Sequence, residues 1–178
     1  MRRELWRQSV HLAYGVGFTL LTAWNAWIGI TITLLFAIGI LTYRKREFGV
    51  IRWFIERLER EERIAGFGSF TLSVGITSVI LIFPENGVIA GIGVAVIDSI
   101  ATLIGMFSDD EKKHLVPSLL GGLAFFIVAT IAFSDVRVTH LAIAAFIGSV
   151  AEFLSTRTML IDDNITVPWA IVIVLALL

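Results

Sequence analysis

The chain has 178 residues, 57% of them hydrophobic and 16% charged, with fourteen Lys and Arg against fifteen Asp and Glu and no cysteine. It is too apolar for an ordinary soluble domain, and its nearly balanced charge gives no ground for a nucleic-acid partner. The lack of cysteine excludes disulfides, iron–sulfur clusters and thiol nucleophiles.

The N-terminus, Met1 to Arg7, is basic and runs into apolar sequence without a small-residue cleavage site, so we expect a retained first helix. Seven apolar segments follow: Ser9 to Trp24, Ala26 to Tyr43, Phe67 to Pro84, Gly87 to Phe107, Val116 to Phe133, Val138 to Leu154 and Ile165 to Leu178. Most approach the roughly 20 residues a helix needs to cross a bilayer. The expectation is therefore an all-α, single-domain, polytopic membrane helix bundle of about seven transmembrane helices. The last run reaches only about 21 Å at 1.5 Å per residue. Either Met159 to Ile161 also enters the membrane, or the acidic residues before the run lie in a polar cavity.

Basic loops are retained in the cytoplasm. With the N-terminus inside, thirteen of the fourteen Lys and Arg residues fall on the inner side and only Arg137 falls outside. Between the second and third spans, Arg44 to Arg63 carries Phe48, Ile51, Ile55 and Leu58 at helical spacing. Pairs four residues apart, such as Arg52/Glu56 and Arg57/Glu61, support a cytoplasmic amphipathic helix.

Ionisable groups inside spans are costly and face a bundle interior or a cavity. Asp98 is one. Gly91, Ala95, Asp98, Thr102 and Gly105 recur at helical spacing and form a small, polar-tolerant face suited to close packing. By the same topology His11, Glu152, the loop Ser108 to His114 with Lys112 and Lys113, and Asp162-Asp163-Asn164 all fall on the cytoplasmic half. His140 lies near the opposite interface and reads as structural. Before the last run, Asp163 or Asn164 is expected to cap the helix, with Pro168 in its first turn. A helix N-terminus attracts anions and paired carboxylates attract a hard cation. Together they suit a nucleotide phosphate carried with Mg2+. A CxxC, an HExxH or a P-loop signature is absent.

Asp162-Asp163-Asn164-Ile165-Thr166-Val167-Pro168 resembles, almost letter for letter, the C-terminal signature of the diacylglycerol/polyprenol kinase family, whose members include dolichol kinase and phytol kinase. Asp98-Ser99-Ile100-Ala101-Thr102-Leu103-Ile104-Gly105 is similar to the family's Gly-Asp-Ser-x-Ala-x-x-x-Gly element, with Ile97 in place of the first Gly. Glu152 matches an acidic residue upstream of the signature. Glu4 to His11 and Gly15 look like the family's Glu-x-x-Arg-Lys-x-x-His and following Gly. One stretch departs: where members carry Lys-Ser/Thr-x-Glu-Gly-Ser, this chain has Pro117-Ser118-Leu119-Leu120-Gly121-Gly122 and keeps only Ser118 and Gly121.

The resemblance implies transfer of the terminal phosphoryl group of CTP to a membrane isoprenoid alcohol of dolichol, polyprenol, phytol or geranylgeraniol type, or to a diacylglycerol-like lipid. It implies Mg2+ held by Asp162, Asp163, Asp98 and Glu152. Catalytic roles fall to Asp98, Asp162 and Asp163, nucleotide contacts to Lys112, Lys113, His11 and Ser118, and a metal or nucleotide contact to Asn164. The expected location is the cytoplasmic membrane, with the N-terminus and the active site facing the cytoplasm, and the Gly-rich faces suit a homodimer. A phosphatidate-type cytidylyltransferase would use the same nucleotide and release pyrophosphate. A transporter or a non-catalytic membrane protein is the reading from another class.

Overall fold

The computed structural model describes residues 2–43, 67–107, 115–158 and 162–178. Among them are seven helices: α1 Arg2–Trp24, α2 Ala26–Tyr43, α3 Phe67–Ile82, α4 Pro84–Gly105, α5 Leu115–Ala132, α6 Val138–Thr158 and α7 Asp163–Leu177. No strand occurs among the described residues. The expected amphipathic helix at Arg44 to Arg63 and the loop bearing Lys112 and Lys113 lie outside them.

The breaks between helices have local causes. Asn25 interrupts the first apolar pair, and its Oδ1 accepts from Trp27 N at 3.0 Å, an Asx turn that starts α2. Phe83 separates α3 from α4 in a non-helical conformation, with Pro84 at the first helical position, where a missing N–H costs little.

α4 is the central helix. It packs against α1, α3, α5, α6 and α7, while α2 packs only on α1 and α3 among the described residues. The core runs along α4 through Ile89, Val94 and Ile97 and takes in Leu72, Ile76, Phe125, Leu141 and Ile171 from its neighbours. The small face expected on α4 meets α1 at Gly91 and Ala95, whereas nothing lies within 4 Å of a Cβ added at Gly105. A Cβ on Gly15 would stand 2.6 Å from Ala95 Cβ, and one on Gly91 would stand 2.6 Å from Thr19 Oγ1. The two helices therefore run antiparallel in close contact, which only small residues permit.

α4, α5 and the Val138–Ser155 part of α6 are long and apolar enough to cross a membrane, and α2, α3 and α7 contain shorter apolar stretches. α1 begins with Arg2, Arg3, Glu4 and Arg7, so its apolar part starts later than the helix does. The bundle's surface departs from that of a water-soluble protein, and polar side chains share its apolar interior. Leu34, Leu123, Ile127 and Ile131 face outward, while Thr19, Ser118 and Glu152 are fully buried. Exposed apolar surface on this scale marks contact with lipid or a partner and is compatible with a membrane protein.

Buried hydroxyls are satisfied mainly by their own helices. Thr19 donates to Gly15 O at 2.7 Å, Ser73 to Ser69 O at 2.7 Å and Ser149 to Ala145 O at 2.8 Å. This back-bonding lets polar side chains sit in an apolar interior without a water partner. A few bonds tie helices together: Tyr14 Oη to Ser73 Oγ at 2.6 Å, Thr33 Oγ1 to Thr77 Oγ1 at 3.2 Å, and Trp169 Nε1 to Ser78 Oγ at 3.1 Å.

Candidate metal centre

Asp98 sits two turns before the end of α4, where Thr102 Oγ1 donates to its Oδ1 at 3.3 Å. α1 supplies another neighbour: His11 Nε2 lies 3.1 Å from Asp98 Oδ2. That contact continues the α1–α4 seam, because His11 is one turn before Gly15 and Asp98 is one turn after Ala95.

Glu152, near the end of α6, is fully buried. Asp163 opens α7. One carboxylate oxygen from each of Asp98, Glu152 and Asp163 lies within 4.8 Å of the other two. Three helices distant in sequence thus place three acids at one point. Two unit charges at that separation repel by roughly 3 kcal/mol even at an effective dielectric of about 20. A cation between them would offset that repulsion, and an all-oxygen, all-carboxylate donor set is the chemistry of a hard divalent cation such as Mg2+. Four residues were expected to ligate. Asp98, Glu152 and Asp163 are the three that converge.

Asp162 has a different position. It is extended, at φ −71° and ψ 132°, and caps α7: its Oδ1 accepts from Asn164 N at 3.0 Å. Its carbonyl accepts from Ile165 N at 3.1 Å, from Thr166 N at 3.0 Å and from the Thr166 hydroxyl at 2.9 Å. This corrects the expectation that Asp163 or Asn164 is the cap. The cap is the residue whose carbonyl takes the first helical bonds while its own backbone stays extended, and that is Asp162. Pro168 shifts for the same reason. Because α7 starts at Asp163, Pro168 lies inside the helix and not in its first turn.

Asn164 is buried, and its Nδ2 donates to Thr71 Oγ1 on α3 at 3.3 Å. At the same point α3 and α7 touch backbone to backbone, since a Cβ on Gly75 would fall on the Asn164 carbonyl oxygen. Thr71 and Gly75 carry no charge and lie in an apolar run. Their only sequence signal is two small residues four apart in a segment rich in Gly, Ser and Thr.

Ser118 is fully buried in α5. Gly121, the other retained residue of the divergent stretch, lets α5 approach α4 beside the site, as a Cβ there would stand 2.6 Å from the Ile97 carbonyl oxygen. Arg7 pairs with Glu4, which also accepts from Gln8 Nε2 at 3.4 Å. His140 lies in the first turn of α6 and its N–H bonds the Arg137 carbonyl at 2.9 Å, away from the acids. Lys112 and Lys113 lie outside the described residues.

No family model matches the chain, and no solved structure matches it. It is similar to the uncharacterized protein MJ1137 of Methanocaldococcus jannaschii, with 33% identity over 179 residues that cover 97% of this chain and 93% of that protein. A likeness of that extent over nearly the whole of both chains places them together, and the chain belongs to the family of that archaeal protein.

Proposed function

We propose that the protein is a CTP-dependent lipid kinase of the cytoplasmic membrane, with its acidic end facing the cytoplasm. It transfers the terminal phosphoryl group of CTP to the hydroxyl of a membrane isoprenoid alcohol or a diacylglycerol-like lipid. The observation that carries the reading is the convergence of Asp98, Glu152 and Asp163, because all three are acidic positions of the family signatures the sequence resembles.

Phosphoryl transfer requires positioning and charge neutralisation more than covalent chemistry from the protein. Asp98, Glu152 and Asp163 would hold Mg2+, which when bound neutralises phosphate charge. The N-terminus of α7, beside Asp163, offers the positive end of the helix dipole to the phosphates. In the transfer, the lipid oxygen bonds to the γ-phosphorus as the bond from that phosphorus to the β–γ bridging oxygen breaks. CDP leaves, and the hydroxyl proton passes to the His11–Asp98 pair. His11 approaches Asp98 from the α1 side, and Thr102 donates to it from within α4.

The test is product analysis after incubating the purified protein in lipid with Mg2+, a panel of prenols and diacylglycerols, and CTP labelled in parallel at the α or γ position. Label from the γ position on a lipid supports the proposal. Label from the α position on a lipid, with pyrophosphate released, would replace it with a cytidylyltransferase. No transfer to any lipid from folded protein would sink both.

A further inference from the structure

Thr71 and Gly75 stand one turn apart on the same face of α3, and each receives a different group of Asn164. The Asn164 backbone carbonyl lacks the usual i+4 helical donor, because the residue four positions on is Pro168, which carries no N–H. That carbonyl lies against Gly75, where any side chain would displace it. The side-chain amide meets Thr71 at 3.3 Å.

The direction of the amide follows from a count of protons. Thr71 has one hydroxyl proton and gives it to the Gly68 carbonyl at 3.1 Å. Toward Asn164 its oxygen can therefore only accept, so the amide nitrogen must face Thr71 and Oδ1 must turn away from it. Asn164 is 5% exposed, and Oδ1 is buried with no hydrogen-bond donor among the described residues. A buried acceptor in that condition calls for an electropositive partner. Asn164 is also the residue directly after Asp163 of the acidic triad.

We propose that Thr71 is a positioning residue for the metal centre: by fixing the Asn164 amide it presents Oδ1 as a fourth oxygen to the divalent cation held by Asp98, Glu152 and Asp163. The inference rests on the cation site of the proposed function and on neither the nucleotide nor the lipid.

The experiment titrates Mn2+ into the full chain in lipid nanodiscs and follows the free-ion EPR signal, without nucleotide. Thr71→Val keeps the shape but removes the acceptor, and it should weaken Mn2+ binding about 10-fold or more, the usual cost of losing a group that orients a ligand. Thr71→Ser keeps the hydroxyl and should restore binding. Asn164→Leu should weaken binding as Thr71→Val does, and the double variant should lose little more than either, since both act through one atom. Should the valine variant fail to fold, Thr71→Ala carries the same expectation. Wild-type affinity in folded Thr71→Val or Thr71→Ala, full additivity in the double variant, or no Mn2+ binding by the wild type would overturn the inference. The expected pattern in a protein that phosphorylates no lipid would leave the inference standing and sink the kinase reading.

Discussion

His11 Nε2 lies 3.1 Å from Asp98 Oδ2, so a carboxylate in the central helix stands beside a side chain from the chain's first helix. The contact extends the tight seam in which Gly15 meets Ala95 and Thr19 meets Gly91. The packing of α1 on α4 and the geometry of the acidic site are therefore one structural fact. On the proposed mechanism, His11→Asn removes the imidazole that orients Asp98, and turnover should fall about 10- to 100-fold, as for other groups that orient a metal ligand. Steady-state phosphorylation by the folded variant checks this, and unchanged turnover would remove His11 from the site.

The carboxylates themselves should matter more. Asp98→Asn, Glu152→Gln and Asp163→Asn should each lower turnover on the order of 100-fold or more, and double variants should add little, since the three act as a unit. Asp162→Asn is the contrast. Asn caps a helix as well as Asp does, so this change keeps the cap of α7 and should cost under about 10-fold, well below the loss expected for the triad. Equal losses at Asp162 and Asp163 would contradict the division of labour between these neighbours.

Glycine substitutions separate packing from chemistry. Gly15→Ala, Gly75→Ala and Gly121→Ala place a methyl against a neighbouring helix, and each should lower stability by about 1–3 kcal/mol, the usual cost of overpacking. At Gly17 nothing lies within 4 Å of an added Cβ, and Gly17→Ala should stay within about 0.5 kcal/mol. Thermal unfolding in detergent ranks the four. Gly75→Ala should in addition reduce turnover, because the displaced group is the backbone of Asn164.

How much of this was legible in the sequence depends on the kind of evidence each residue carries. The helices followed from apolar runs, and the α1-facing side of α4 from Gly91, Ala95, Asp98 and Thr102 at helical spacing. The gathering of Asp98, Glu152 and Asp163 followed in outline from topology, since alternate spans bring their ends to one side. Which of two adjacent aspartates joins the site did not. Neighbouring residues at a helix start point about 100° apart, and the choice turned on Asp162 being the residue that stays extended and caps. Pro168 was misplaced by the same uncertainty in where α7 begins. Thr71 and Gly75 were unreadable as site residues, for they carry no charge and their role exists only through the register of α3 against α7.

Topology has its own test, made convenient by the absence of native cysteine. Asn25→Cys, at the exposed junction of α1 and α2, should react with a membrane-impermeant maleimide on intact cells. Arg3→Cys should react only after permeabilisation. On the proposed membrane placement, Leu123→Cys and Ile127→Cys, whose side chains are exposed, should face lipid and resist the reagent in both conditions. Reaction at Arg3→Cys on intact cells would reverse the orientation inferred from the basic residues.

The claim on which everything else depends is that Asp98, Glu152 and Asp163 form one cation site. The most direct measurement is an anomalous difference map from crystals of the protein grown in lipid with Mn2+. The account predicts a single strong peak bounded by oxygens of all three carboxylates at about 2.1 Å, the distance hard divalent cations of this size keep. A map with no peak there, or with the strongest peak elsewhere and the three acids apart, would contradict it.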